Sequence, residues 1–387
     1  MKITFTTCQQ LNLIGKKTMT MNFEKQNRMS IDEIANDIAV TGTYRTIYVQ
    51  GDSGSGKTSI KHILAKRFPK HQVVHCDLTN YDLGDLNLPA YKDMDGEEFI
   101  RFVANEDLGL HLNKPLIICW DELGKANNSV KNAVLRLFLE RKMGRHQYHK
   151  ETLQFATGNL SAENMGDLFL PHQRERVTMV RMRKSSNTEH VEYGLKNDFD
   201  EAYLAWVADT PILGQSFDDI KKPEDNPYIY HPQSNADKFF TWRGGEAASN
   251  MLKDRDRLSN VTAMLGGTIG WAAAMDLMAY VNVRDDLASL EDIKKNPETA
   301  KVPNGAGAKM MSIMRALLNL DVTWIDAWMK YAVRMDDQVM AMFVNTIKSA
   351  KFAEDDTKKA KVQAMVMSNK LFSEWCANHP HLYSSDI

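Results

Sequence analysis

Gly51-Asp52-Ser53-Gly54-Ser55-Gly56-Lys57-Thr58 is the stretch that decides the reading of this chain. It fits G-x-x-x-x-G-K-[ST], the pattern of a P-loop, in which backbone amides cradle phosphate groups. Glycine at 51, 54 and 56 permits positive φ and lets successive N–H groups turn inward as an anion nest. The Lys57 ammonium then reaches the β- and γ-phosphates of a nucleotide, and the Thr58 hydroxyl ligates Mg²⁺. The flanks agree. Tyr44-Arg-Thr-Ile-Tyr-Val-Gln50 upstream is rich in β-formers, while Ile60, Ile63, Leu64 and Phe68 downstream share one helical face. A helix starting at this loop points its positive end at the phosphates.

The second half of such a site is an acid at the end of a neighbouring strand. Leu116-Ile-Ile-Cys-Trp-Asp121-Glu122 is an apolar run ending in two carboxylates. Asp121 is placed to hold Mg²⁺, and Glu122 to orient and deprotonate an attacking water. Water as the acceptor implies a hydrolase rather than a small-molecule kinase. Phe155-Ala-Thr-Gly-Asn159 ends a further strand in a polar amide.

Composition sets the outer bounds. The 387 residues are enough for two or three domains, and 48 Lys+Arg against 50 Asp+Glu leave no global field for nucleic acid or membrane. Cys8, Cys76, Cys119 and Cys376 are scattered without a CxxC, which reads as packed, reduced thiols. No run approaches eighteen apolar residues and no signal-peptide pattern opens the chain, so a cytoplasmic protein is expected. His146, His149 and His172 lack metal-ligand spacing and read as surface residues.

Along the chain, Ser30 is an N-cap candidate for a helix over 31–40. Strands are expected over 44–50, 115–120, 152–157 and 177–182, with a short buried strand over 72–77. A loop with Gly84, Pro89 and Gly96 precedes a helix expected near 97–105, and another helix is expected over 128–141. The stretch 84–92 is either an ordinary surface loop or one that projects into the pore of a ring. Strands alternating with helices imply an α/β core: a parallel sheet flanked by helices, with right-handed connections. The expected divisions are an N-terminal extension over 1–28, the nucleotide-binding core over 29–185, a connecting segment over 186–238, an all-α lid domain over 239–350 and a tail over 351–387.

With these motifs in place, the chain resembles the AAA+ ATPases over roughly residues 30–290, and more narrowly the MoxR branch. The features that carry the resemblance are the P-loop, Asp121-Glu122-Leu-Gly-Lys-Ala-Asn-Asn, Ala156-Thr-Gly-Asn159 and Leu170-Pro171-His-Gln-Arg174-Glu-Arg176-Val. In that family an Asn at the position of Asn159 (sensor 1) positions the lytic water. The last segment is similar to an element whose Arg reaches the γ-phosphate of a neighbouring subunit. Glu175 and Val177 depart from its usual Asp and Phe, and Arg176 is the assigned finger with Arg174 the alternative. Thr241-Trp-Arg243-Gly-Gly resembles sensor 2, where an Arg opening a lid helix contacts the γ-phosphate of its own subunit. Gly144–Glu151 leaves little room for the β-hairpin common in this branch. The resemblance implies ATP and Mg²⁺ as cofactors, a hexameric ring, a protein client and a von Willebrand A-domain protein as partner.

Two rivals remain open. A nucleic-acid motor or loader would use a basic stripe with interleaved aromatics, and only the small cluster Arg181, Arg183 and Lys184 stands out. A nucleotide-dependent scaffold would bind tightly and turn over slowly.

Overall fold

The computed structural model describes residues 27–94, 97–143, 146–160, 169–284, 287–354 and 356–382, so the expected N-terminal extension lies almost wholly outside the described residues. The chain divides into two units, one up to Lys184 and one from Ser185 onward.

In the first unit, helix α1 (Ile31–Thr41) starts at Ser30 with a capping box. The Ser30 Oγ accepts from the Glu33 amide, and the Glu33 carboxylate accepts from the Ser30 amide at 2.7 Å. Strand β1 (Ile47–Gly51) then leads through the glycine-rich loop into α2 (Ile60–Arg67) and β2 (Gln72–Asp77). Two strands follow, β3 (Asn87–Met94) and β4 (Glu97–Ala104), then β5 (Leu116–Asp121) and α3 (Asn128–Glu140). The two-residue strands β6 (Lys142–Met143) and β7 (His146–Gln147) precede β8 (Leu153–Asn159) and β9 (Thr178–Arg181).

β1, β2, β5, β8 and β9 form one parallel sheet in the order β2-β5-β8-β1-β9. Its two faces carry separate cores. Ile34, Ile38, Ile60 and Leu64 of α1 and α2 cover Ile117, Cys119 and Phe155 on one side. Val130, Val134 and Phe138 of α3 cover Tyr48, Ile118 and Trp120 on the other. The central strands β5 and β8 are therefore buried on both faces, which is why their sequences read as apolar runs. Residues 72–77 differ from the expected buried strand. As the sheet edge, β2 buries only Val74 and Cys76.

Residues 87–104 also differ from expectation. β3 and β4 pair as an antiparallel ribbon with Tyr91 opposite Ile100, where a loop and a helix were expected. Phe99, Ile100, Phe102 and Val103 favour strand, and the partner segment supplies the hydrogen bonds that a helix would otherwise make internally. Between α3 and β8, the short β6–β7 pairing of Lys142 with Gln147 and Met143 with His146 is a ribbon of two residues a side.

The second unit is helical. α4 (Asn187–Lys196), α5 (Glu201–Asp209) and α6 (Trp242–Lys253) open it, and helices continue to Lys370–Asn378. Residues 186–238 form part of this unit rather than only a connection, because Val191, Leu195, Leu204 and Trp206 share one core with Leu252, Met311, Trp328 and Phe343. Residues 351–387 likewise contribute Val362, Val366, Phe372 and Trp375 to that core. Among the described residues no helix is long and apolar enough to cross a membrane.

Candidate nucleotide-binding site

The sheet order puts β8 between β1 and β5, so three strand ends carrying polar groups stand side by side. Gly51 pairs with Asn159 and Trp120 with Ala156, which brings the glycine-rich loop, Asn159 and the Asp121-Glu122 pair to one edge. Crevices at the carboxyl ends of parallel strands are where open α/β sheets bind ligands.

Within the loop, Gly54 and Gly56 have φ of 66° and 92°, the left-handed region where a side chain costs energy. Gly51 differs from expectation, since its φ is not positive. Its role is close approach, because a Cβ there would sit 3.3 Å from Ser55 Oγ and 3.4 Å from Met182. Asp52 accepts from the Ser55 amide through its carbonyl at 3.3 Å, which closes the loop around half-buried Ser53. Ser55 Oγ is buried and has no hydrogen-bond partner among the described residues, so the loop holds a donor that it does not itself satisfy.

Lys57 is only 7% exposed, and its ammonium donates to the carbonyls of Gly51 (3.0 Å) and Asp52 (2.8 Å) and to Asn159 Oδ1 (2.9 Å). The other end of the Asn159 amide, Nδ2, donates to Glu122 Oε1 and Oε2 at 3.2 and 3.4 Å. One buried amide thus links the loop lysine to the second acid. Glu122 also pairs with Lys125 at 2.9 Å. Its backbone is left-handed, with φ 53° and ψ 36°, a conformation uncommon for a residue with a side chain. Such strain costs of order 1–3 kcal/mol and concentrates at functional sites.

Thr58 Oγ1 donates to Asp121 Oδ2 at 3.0 Å, and His75 Nε2 lies 3.0 Å from the same oxygen. Thr157 donates to Asp121 Oδ1 and accepts from the Glu122 amide at 3.4 Å. Burial opposes ionisation of Asp121, but hydrogen bonds from Thr157, His75 and Thr58 outweigh it and hold the carboxyl below its ordinary range. The oxygen donors of Thr58 and Asp121, together at one point, suit Mg²⁺, which prefers oxygen ligands. Sequence reasoning had singled out neither His75, Thr157, Lys125 nor Arg45. Thr157 had a signal, being two residues before Asn159 and so on the same strand face.

The structure separates the remaining candidates. Pro171–Arg174 forms one helical turn with Glu175 as its C-cap. Arg174 donates from Nε to the Phe169 carbonyl at 3.2 Å, whereas the half-exposed Arg176 side chain makes no hydrogen bond or ion pair among the described residues. Arg45 fixes this segment, donating from Nη2 to the carbonyls of Glu175 (3.0 Å) and Val177 (2.7 Å) and from Nε to Thr178 Oγ1 (3.0 Å). Arg243 belongs to the second unit, exposed on the first turn of α6, where Thr241 Oγ1 caps the Gly244 amide at 3.0 Å. His146 and His149 are half-buried and His172 is exposed.

No family model matches the sequence, and no curated protein does. Among solved structures, a candidate ATPase of Cytophaga hutchinsonii is 18% identical over 46% of this chain and 54% of that chain, with a TM-score of 0.29. The RuvB Holliday junction branch migration motor of Thermotoga maritima is 14% identical over 68% of this chain and 72% of that one, with a TM-score of 0.37. Hsp104, in a closed state with ATPγS and casein, is 13% identical over 72% of this chain and 50% of its own length, at a TM-score of 0.35. The chain thus spans about half the length of the first and third of these. All three likenesses are distant.

Proposed function

We propose that the chain is a Mg²⁺-dependent ATP hydrolase of the AAA+ class, MoxR-like, working in a ring, a hexamer, as a remodelling or maturation chaperone. The observation that carries the reading is Asn159 held between Lys57 and Glu122 while Thr58 touches Asp121. A phosphate-binding lysine, a metal-ligand pair and a base meet at one sheet edge. Binding falls to the loop amides, Ser55 and Lys57; Thr58 and Asp121 would hold Mg²⁺. The ion, when bound, neutralises charge developing on the phosphate oxygens. Glu122 takes the proton of the attacking water, with Asn159 and the strained backbone at 122 fixing the carboxylate's direction.

The ring is inferred from Arg176. A guanidinium without a partner among the described residues, its backbone held by Arg45 at Glu175 and Val177, fits a group offered to a neighbour's phosphate. The resemblance alone assigns Arg243 to the γ-phosphate of its own subunit. A protein client and a von Willebrand A-domain partner follow from the resemblance to the MoxR branch. The experiment is ATP turnover and binding by Lys57→Ala and Glu122→Gln. Lys57→Ala should bind no nucleotide. Glu122→Gln should bind it with turnover reduced by about 10²–10⁴, and wild-type turnover in that variant would refute the assigned base.

A further inference from the structure

His75 lies directly opposite Cys119 in the β2–β5 register, and Asp121 follows Cys119 on the same strand face two residues on. Their donor atoms, an imidazole nitrogen, a thiol sulfur and a carboxylate oxygen, all lie within 4.8 Å of one another. The three are graded in depth: His75 is exposed, Asp121 is half-buried and Cys119 is fully buried. Because β2 is the edge of the sheet, the group opens to solvent on the His75 side.

We propose that His75, Cys119 and Asp121 form a binding site for a borderline-soft divalent transition metal of the zinc class, separate in ligand set from the magnesium pair but sharing Asp121. Mixed nitrogen, sulfur and oxygen donors select Zn²⁺ or Co²⁺, whereas Mg²⁺ takes oxygen alone. Three protein ligands leave the fourth tetrahedral corner to water. Cys119 enters as the thiolate, so each ion bound releases the thiol proton to solvent. Asp121 Oδ2 lies 3.0 Å from both His75 Nε2 and Thr58 Oγ1, so both ions would draw on the same carboxylate oxygen. The transition metal therefore competes with magnesium and acts as an inhibitor of the hydrolase. This consequence rests on the proposed function, whereas the site itself does not.

The test is a titration of the full chain with Co²⁺ alone, without nucleotide. Binding should produce a thiolate-to-cobalt band in the near ultraviolet and intense visible bands of a tetrahedral ion. Cys119→Ser should abolish the ultraviolet band. His75→Ala, at an exposed position on an edge strand, should weaken binding by more than the about 10–100-fold that loss of even a supporting partner costs. His75→Ala decides the matter should Cys119→Ser fail to fold. Absence of the thiolate band, or an unchanged Co²⁺ affinity in His75→Ala, overturns the site. In a second arm, Zn²⁺ should inhibit wild-type ATP turnover in a way that added Mg²⁺ relieves. Inhibition that Mg²⁺ does not relieve overturns the shared use of Asp121, and a chain with no turnover at all refutes the hydrolase while the cobalt spectrum still reads the site.

Discussion

Replacing Asn159 with alanine tests the geometry most directly, because the substitution touches binding and chemistry unequally. The side chain, 3% exposed, makes charge-assisted hydrogen bonds in both directions: it accepts from Lys57 at 2.9 Å and donates to Glu122 at 3.2 and 3.4 Å. Hydrogen bonds to charged groups are worth about 1.5–3 kcal/mol each. On the binding side Lys57 keeps two carbonyl partners, those of Gly51 and Asp52, so its ammonium stays in the loop. Glu122 is left with Lys125, which draws the carboxylate along its own direction. Losing 1.5–3 kcal/mol in the transition state alone corresponds to roughly a 10–150-fold fall in kcat, at 1.36 kcal/mol per decade. Steady-state turnover gives kcat, and titration with a fluorescent ATP analogue gives affinity, expected to change by less than about threefold against that loss. A thermal melt separates misfolding from a change at the site. Wild-type kcat in a folded Asn159→Ala protein would refute the role given to this amide, and a loss confined to affinity would move it from the chemistry to the loop.

Mixing Arg176→Ala with Lys57→Ala subunits should restore some hydrolysis, since an intact loop from one then meets an intact arginine from the other. Arg243→Ala mixed with Lys57→Ala should restore none, and the reverse pattern would exchange the two roles. Burial, with a nearby Asp107 charge adding to it against a hydrogen bond with Tyr81, pushes the Cys76 thiol up to about 12. Its folded value exceeds the unfolded value of about 8.5, so its contribution is complete below that pH and is lost above it, at about 1.4 kcal/mol per pH unit. Denaturant melts of the wild type should show this alkaline loss, and Cys76→Val should flatten the slope; an unchanged slope would assign the effect to other groups. In the second unit, a Cβ on Gly245 would stand 2.0 Å from the Tyr203 hydroxyl and 3.1 Å from Phe240. Gly245→Ala should therefore destabilise that unit by about 1–3 kcal/mol, read as a lower denaturation midpoint, and an unchanged midpoint would mean that the tyrosine swings aside freely.

The parts of the site legible in the sequence are those whose chemistry is local. The glycines, Lys57 and Thr58 act within eight consecutive residues, and Asp121 and Glu122 end an apolar run whose burial on both faces is itself a pattern. The missed residues act across the fold. His75 reaches Asp121 only because β2 pairs with β5 in one register, and Arg45 holds Glu175 and Val177 only because β1 lies beside β9. The helix expected near 97–105 failed for the same reason. Its residues tolerate either period, and the choice was made by β3, a partner segment whose pairing no local window contains. In the second unit, prolines and polar surface between residues 210 and 238 masked the continuity of a core that runs from Val191 to Trp375.

Why position 159 carries an amide follows from its two neighbours. The side chain must accept from an ammonium on one side and donate to a carboxylate on the other, and among side chains of this length only an amide does both. A carboxylate would satisfy Lys57 but face Glu122 at the same 3.2 Å, a repulsion of about 5 kcal/mol at an effective dielectric constant near 20. A lysine would bind Glu122 and repel Lys57. The two contacts also fix the amide's orientation, oxygen toward the loop and nitrogen toward the acid, so the side chain cannot turn over without breaking both. A shift of Lys57 is therefore felt at Glu122 through one rigid group. The position of β8 between β1 and β5 is what allows a single side chain to span that gap.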